Sequence, residues 1–312
     1  MLREKYTYIK TRRNGSKIYQ AGDGSHFAKA WLHEAVSQEA DLYQKLGKYG
    51  IKLPTVISVQ TIMMEQSFWE KTFADLFTES YSQVNIIQEE IFDNFIVMNQ
   101  SHLDSQIKLI GENITDKKFA SFDHLAEENR IDPDLIKKAY EKIMNVVQSM
   151  PMTRNHWDYN PYNIFPEWVI DLEDWFLWPI GYDTITSLTQ NYRFPDEGDY
   201  ELHRQHSFSL PQIVSFLTRL SDNAIKINFL DKDLFAALFL MRWAFVTAWS
   251  SRAPKSQAYR YELFQTLLEK FLAWEDLLHF FLSTYHKLSK NIDSLVSQQL
   301  MDWKNKVIST GE

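Results

Sequence analysis

A histidine, an aspartate and an asparagine stand at spacings suited to phosphoryl transfer in His156-Trp157-Asp158-Tyr159-Asn160-Pro161-Tyr162-Asn163, which reads H-x-D-x-x-x-x-N. Shortly after it, Val169-Ile170-Asp171-Leu172-Glu173 brings further carboxylates at the end of an apolar run. When phosphate moves to a hydroxyl, one carboxylate must take the hydrogen bond, and finally the proton, of the attacking oxygen. A carboxamide and a second carboxylate can hold Mg²⁺ against nucleotide phosphates. Asp158 suits the first task, Asn163 and Asp171 the second. All three offer oxygen, which a hard cation prefers. Asp and Asn also recur in polar loops as turn formers and caps. Here the loop, the apolar run and the second carboxylate occur together.

These groups need elements to position them. Trp168-Val169-Ile170 predicts a buried strand that delivers Asp171 at its end, with Pro166-Glu167 closing a minimal hairpin. Asp132-Pro133 predicts a helix start, with aspartate as N-cap and proline in the first turn. Its face Leu135, Ala139, Ile143, Val147 and Met150 keeps a spacing near four, and Pro151 stops it before the loop.

Upstream, the chain reads strand-strand-strand-helix-strand-strand. Tyr6 to Lys10 and Lys17 to Gln20 flank Asn14-Gly15, a hairpin signal, and Asp23-Gly24 is a second turn. His26 to Leu32 is an apolar strand with Lys29 inside it. Ala35, Glu39, Leu42 and Leu46 then keep helical spacing up to Gly47 or Gly50, and Thr55 to Val59 and Thr61 to Met64 are β-like again. Beyond Glu65-Gln66 the pattern is helical, including Pro211 to Leu220, Asp231 to Trp249 and Tyr259 to about Trp303. Thr184 to Ser209 reads as a polar, aromatic stretch. The expected class is α+β: a small antiparallel β lobe with one helix over 1–66, and a larger, mainly helical lobe over 67–312.

At Asn155 to Phe165 the chain resembles the catalytic loop of the aminoglycoside phosphotransferase and choline kinase superfamily, small-molecule kinases with a protein-kinase-like fold. Ile170-Asp171-Leu172-Glu173 resembles that family's metal-binding strand end. The resemblance implies a two-lobed kinase fold, ATP and Mg²⁺ as cofactors, Asp158 as base, and Asn163 and Asp171 as metal ligands. His156 joins the catalytic candidates, with support of the loop by hydrogen bonding as its expected role. Lys29 would contact the nucleotide phosphates and pair with a glutamate of the next helix. Gln38-Glu39-Ala40-Asp41-Leu42 resembles the family's E-A-x-x-L helix and makes Glu39 that partner, with Glu34 as the alternative. Asn14-Gly15-Ser16 fits an ordinary hairpin turn as well as a phosphate-covering loop, in which Ser16 would offer its hydroxyl and N–H. Met63-Met64-Glu65-Gln66 falls where the family's connecting segment binds adenine, so Met64 and Glu65 are candidates there, although Met as core filler would look the same. Gly181-Tyr182-Asp183 resembles the segment whose aspartate caps backbone around the catalytic loop.

Composition sets limits on the rest. The 312 residues carry a net charge of -8, which argues against nucleic acid and anionic membranes as partners. There are no cysteines, so disulfides, thiolate metal sites and cysteine nucleophiles are excluded. Met1 to Lys5 lacks the apolar core of a signal peptide, and Leu234 to Trp249 is short and interrupted by Arg242, so it reads as a buried helix. The expectation is a cytoplasmic protein whose partners are a nucleotide and a small-molecule acceptor. Trp157, Tyr159, Tyr162, Trp168, Trp175, Trp178 and Tyr182 crowd the loop; they could hold a cationic amino alcohol or aminoglycoside by cation–π attraction, or pack the core beneath it. Glu173 could touch a second metal or the acceptor. His203 and His206 read as a solvated loop. The alternative function is a nucleotide-binding pseudokinase or interaction module without transfer activity.

Overall fold

The computed structural model describes residues 6–11, 16–23, 26–30, 33–54, 56–60, 63–67, 71–84, 86–112, 119–172, 175–189, 208–248 and 254–283. The first part is a five-stranded antiparallel sheet of β1 (Tyr6–Thr11), β2 (Lys17–Ala21), β3 (His26–Ala30), β4 (Val56–Gln60) and β5 (Met63–Ser67), in the order β1-β2-β3-β5-β4. The helix α1 (His33–Gly47) joins β3 to β4 and packs on β4 and β5. Its inner face is Glu39, Ala40, Tyr43 and Leu46, all buried, at the spacing of one helical face. The hairpin turn at Asn14-Gly15 lies outside the described residues. Lys29 is opposite Ile18 of β2 and Met64 of β5, so β3 is flanked on both sides.

The remainder is mainly helical: α2 (Phe73–Val84), α3 (Glu89–Lys108), α4 (Ser121–Glu128), α5 (Pro133–Val147), α6 (Tyr182–Thr189), α7 (Leu210–Ser221), α8 (Lys232–Ala248) and α9 (Pro254–Leu272). Asp132 does cap α5, its side chain accepting from the Asp134 N–H at 3.0 Å, and Ile136, Ala139, Ile143 and Val147 form the buried face. α8 is the core helix. It is buried along nearly its whole length and packs on α4, α5, α6 and α9. Among the described residues no helix is long and apolar enough to cross a membrane.

Several elements depart from the sequence expectations. The segment that opened the polar, aromatic stretch is part of α6, whose residues are all buried; 190–207 lie outside the described residues. The helix expected to run on to Trp303 ends at Leu272. The Trp274 N–H returns to the Phe271 carbonyl at 3.1 Å and the Glu275 N–H to that of Lys270 at 3.0 Å, with Trp274 in the left-handed region at φ 62°. This reversal stops a helix whatever the periodicity beyond it. A second sheet, β6 (Met152–His156) paired antiparallel with β7 (Trp175–Pro179), was not expected. β6 is buried on successive residues and carries Arg154, Asn155 and His156, so it shows no alternation to read.

Candidate active site

β6 ends at His156 and so aims the following loop. The loop is tied down from below by Asp183 at the start of α6, which is fully buried. One Asp183 oxygen accepts the His156 N–H at 2.9 Å and Gln106 Nε2 at 2.8 Å, and lies 2.8 Å from His102 Nε2. The capping role expected of Asp183 is therefore observed. From the other side, the first N–H groups of α2, those of Phe73 and Ala74, donate to the carbonyls of Ile164 and Pro161 at 2.9 and 3.1 Å. Helix-end donors need partners, and here the loop supplies them.

Within the loop, the Asp158 N–H donates to His156 Nδ1 at 3.0 Å. Nδ1 must then be the accepting nitrogen, so the ring hydrogen sits on Nε2 and donates to the Ile170 carbonyl at 2.9 Å. His156 is buried and spends both nitrogens joining the loop to the residue before Asp171, the supporting role its type suggested. Asn160 and Asn163 both turn their amide nitrogens onto the Asp158 carbonyl, at 3.1 and 2.9 Å. That commitment leaves Asn163 its Oδ1 as the atom suited to a cation.

Asp171 is reached through a tight reversal. Ile170 N–H bonds to the Asn163 carbonyl at 3.0 Å, and Phe165 N–H to that of Trp168 at 2.8 Å, around Pro166-Glu167. The minimal hairpin is present, but the expected strand at 168–170 is reduced to the single bridge Ile164–Val169, because two turn residues leave no length for more. Asp171 itself has φ 71°, a left-handed conformation that Asp and Asn tolerate best among residues with a side chain.

The sheet and the loop face each other across a cleft of ≈ 420 Å³. Ile9, Ile18, Phe27, Ala28, Lys29 and Glu39 line it from the sheet and α1; Tyr162, Asn163, Phe165, Ile170 and Asp171 line it from the loop. Lys29 Nζ and Glu39 Oε2 are 2.7 Å apart, with side chains only 5% and 2% exposed. The side chain of the alternative, Glu34, lies outside the described residues.

Three further candidates are placed as follows. Ser16 is fully buried at the foot of β2 and is not among the described residues that line the cleft. Met64 and Glu65 are interior to β5 and paired in register with β3 on one side and β4 on the other. Their backbone groups belong to the sheet, so the connecting segment expected at 63–66 is corrected to a strand. Glu173, His203 and His206 lie outside the described residues.

Sequence reading missed Thr72, Asp75 and Arg242. Thr72 and Asp75 line the cleft and cap the start of α2 reciprocally: the Asp75 carboxylate accepts the Thr72 N–H at 3.0 Å and its hydroxyl at 2.7 Å, and the Thr72 hydroxyl accepts the Asp75 N–H at 3.1 Å. The T-x-x-D spacing was the available signal. Arg242 of α8 bonds to Asp158 Oδ1, to the Trp157 carbonyl at 3.0 Å and to the Tyr182 hydroxyl at 3.4 Å. Burial alone would weaken its charge, but Tyr182 and Asp158 more than offset that and its pKa is raised. Tyr162 is pushed up, first by burial and then by Asp75, so its phenol stays neutral beside the cleft. Four of the seven aromatic residues, Tyr159, Trp175, Trp178 and Tyr182, are buried core. Tyr159 stacks on His102 with ring centres 4.1 Å apart.

No protein-family model matches the chain, and neither does any curated protein sequence. Solved structures do. Amicoumacin kinase in complex with AMP-PNP, Ca²⁺ and Ami superposes with a TM-score of 0.53 at 13% identity, over 86% of this chain and 89% of that one. An aminoglycoside phosphotransferase from Streptomyces rimosus, in complex with ADP and streptomycin, gives 0.50 at 15% identity, over 78% and 93%. An ethanolamine kinase from Plasmodium vivax gives 0.50 at 11% identity, over 85% and 81%. The chain shares the two-lobed, protein-kinase-like fold of these small-molecule kinases.

Proposed function

We propose that the chain is a Mg²⁺-dependent kinase that moves the γ-phosphate of ATP to a hydroxyl of a small molecule. The observation that carries this reading is the cleft itself. It brings the buried Lys29–Glu39 pair opposite Asn163 and Asp171, with Asp158 bonded through its carbonyl to Asn163. Residues 1–66 would then form the nucleotide lobe and 67–312 the lobe that carries the loop and the acceptor, in a protein placed in the cytoplasm.

Lys29 would meet the nucleotide phosphates, held in place by Glu39. Asn163 and Asp171 would hold Mg²⁺ by oxygen, as its chemistry prefers. When bound, Mg²⁺ supplies charge neutralisation on the phosphates. Asp158 would accept the hydrogen bond of the acceptor hydroxyl. The acceptor oxygen forms its bond to the γ-phosphorus as the bond to the bridging oxygen breaks; the proton passes to the Asp158 carboxylate and ADP leaves. His156 takes no proton in this scheme, since both its nitrogens hold the loop.

The acceptor class proposed is a cationic amino alcohol or aminoglycoside. The solved relatives of like fold, which act on ethanolamine or bind streptomycin, support it. A transfer screen with Mg²⁺-ATP over amino alcohols, aminoglycosides, sugars and nucleosides tests the reading, with acceptor-dependent ADP release expected. Mg²⁺-dependent ATP binding with neither transfer nor hydrolysis would overturn it in favour of a pseudokinase.

A further inference from the structure

We propose that Arg242 is the positioning residue of Asp158: a buried guanidinium that grips the loop from the core and presents the carboxylate to the acceptor. The role in turnover rests on the kinase reading above; the grip itself does not. α8 is the most apolar helix of the described core, and apart from the Tyr182 hydroxyl at 3.4 Å the hydrogen-bond partners of its one buried cation all belong to the loop. An apolar side chain of similar size would serve stability there as well or better, because taking a charge out of water costs more than a single pairing returns. Yet Arg242 is 1% exposed, and its contacts converge on the loop. One arm of the fork bonds to Asp158 Oδ1, the other to the carbonyl of the preceding residue, Trp157, at 3.0 Å. The guanidinium also lies 4.9 Å from the centre of the Phe245 ring. A planar fork can hold a side chain and a neighbouring carbonyl at once, which an ammonium cannot do in the same geometry.

The pair is lopsided. Asp158 remains 45% exposed while its partner is enclosed. The core side of the carboxylate is fixed and the solvent side stays within reach of a hydroxyl. Small errors in placing a reacting group are costly, so a device that fixes the carboxylate's rotamer acts on turnover and not on nucleotide binding.

The test uses Arg242→Met, Arg242→Lys, Asp158→Asn, Asp158→Ala and the double variants with Arg242→Met, in the full chain with Mg²⁺-ATP. Water serves as acceptor where no other is known. Arg242→Met is expected to lower kcat by about 10- to 100-fold while ATP affinity changes less than about twofold, with Arg242→Lys in between. The double variant should turn over no slower than Asp158→Asn alone, because the two act as one unit. Asp158→Ala should lower Tm by about 5 °C by orphaning the guanidinium, and adding Arg242→Met should restore it. Wild-type turnover in Arg242→Met, or losses that multiply in the double variant, would overturn the proposal. If Arg242→Met does not fold, Arg242→Lys carries the kinetic comparison. If the wild type transfers phosphate to nothing, the kinase reading fails, and the Tm pairing alone decides the grip: no restoration by the second substitution sinks it.

Discussion

Two ion pairs, one lining the cleft and one at the loop that ends in Asn163, are built in opposite senses. In Lys29–Glu39 the cation is the member that, in the proposed function, would meet the nucleotide phosphates, and the anion, delivered by α1, holds it. In Asp158–Arg242 the anion is the exposed member, the one that in the proposed function would meet the acceptor, and the cation, delivered by α8, is the buried one. In each case a helix supplies the anchor. The difference lies in burial. Both members of the first pair are enclosed, so losing either takes the close counter-charge from a buried group. Only the anchor of the second is enclosed, so losing it leaves a carboxylate that water can solvate. Structural cost and functional cost should therefore separate at the second pair and stay joined at the first.

Substitutions can break that contrast. The largest effect should come from Asp158→Asn, which keeps size and removes the proton acceptor. Turnover should fall by roughly 10²–10⁴ while ATP affinity, measured by titration calorimetry, stays within about twofold. Equal losses in both would erase the separation. Lys29→Met should show the joined behaviour: a stability loss of about 3 kcal/mol in urea unfolding together with weaker ATP binding. A variant with wild-type stability would show that burial of the pair does not set its structural cost. Between the pairs, Asp171→Asn keeps a residue tolerant of φ 71°. It should leave Tm nearly unchanged and raise the Mg²⁺ concentration needed for nucleotide binding by about tenfold. An unchanged Mg²⁺ requirement removes Asp171 from the metal site. The smallest effect belongs to an exposed control. Lys71 and Glu79 approach to 2.7 Å, the same distance as Lys29 and Glu39, but are 50% and 47% exposed. Lys71→Ala should cost at most about 1 kcal/mol, which would show that burial and not distance sets the scale.

Much of this was legible in the chain. The strand and helix order of the sheet region follows from local pattern, as does the Asp132-Pro133 start, because caps, turns and periodicity are properties of neighbouring residues. The loop motif located Asp158, Asn163 and Asp171 because their spacing is local too. Arg242 was not legible. In sequence it is only the charge that interrupts an apolar run, and its partner lies 84 residues away. β6 escaped for a related reason: Thr153 and Asn155 are polar, and the Gln106 and Trp178 carbonyls that accept from them at 2.6 and 3.0 Å are met only in the fold. The segment 63–66 proved to be strand because β5 runs on to Ser67, past the Met64 end expected, the kind of boundary that sequence fixes least well.

The strand order carries a consequence for how the product could leave. β3, which bears Lys29, is clasped by β2 and β5, whereas β1, which bears Ile9 of the cleft lining, is the sheet's outer strand and pairs with β2 alone. Peeling β1 opens one ladder; displacing β3 would open two and expose a buried ion pair. Amide protons of β1 should therefore exchange with solvent well before those of β3. If the cleft turns over ATP as proposed, β1 is the strand that would lift to release ADP, while Lys29 would stay in register for the next nucleotide.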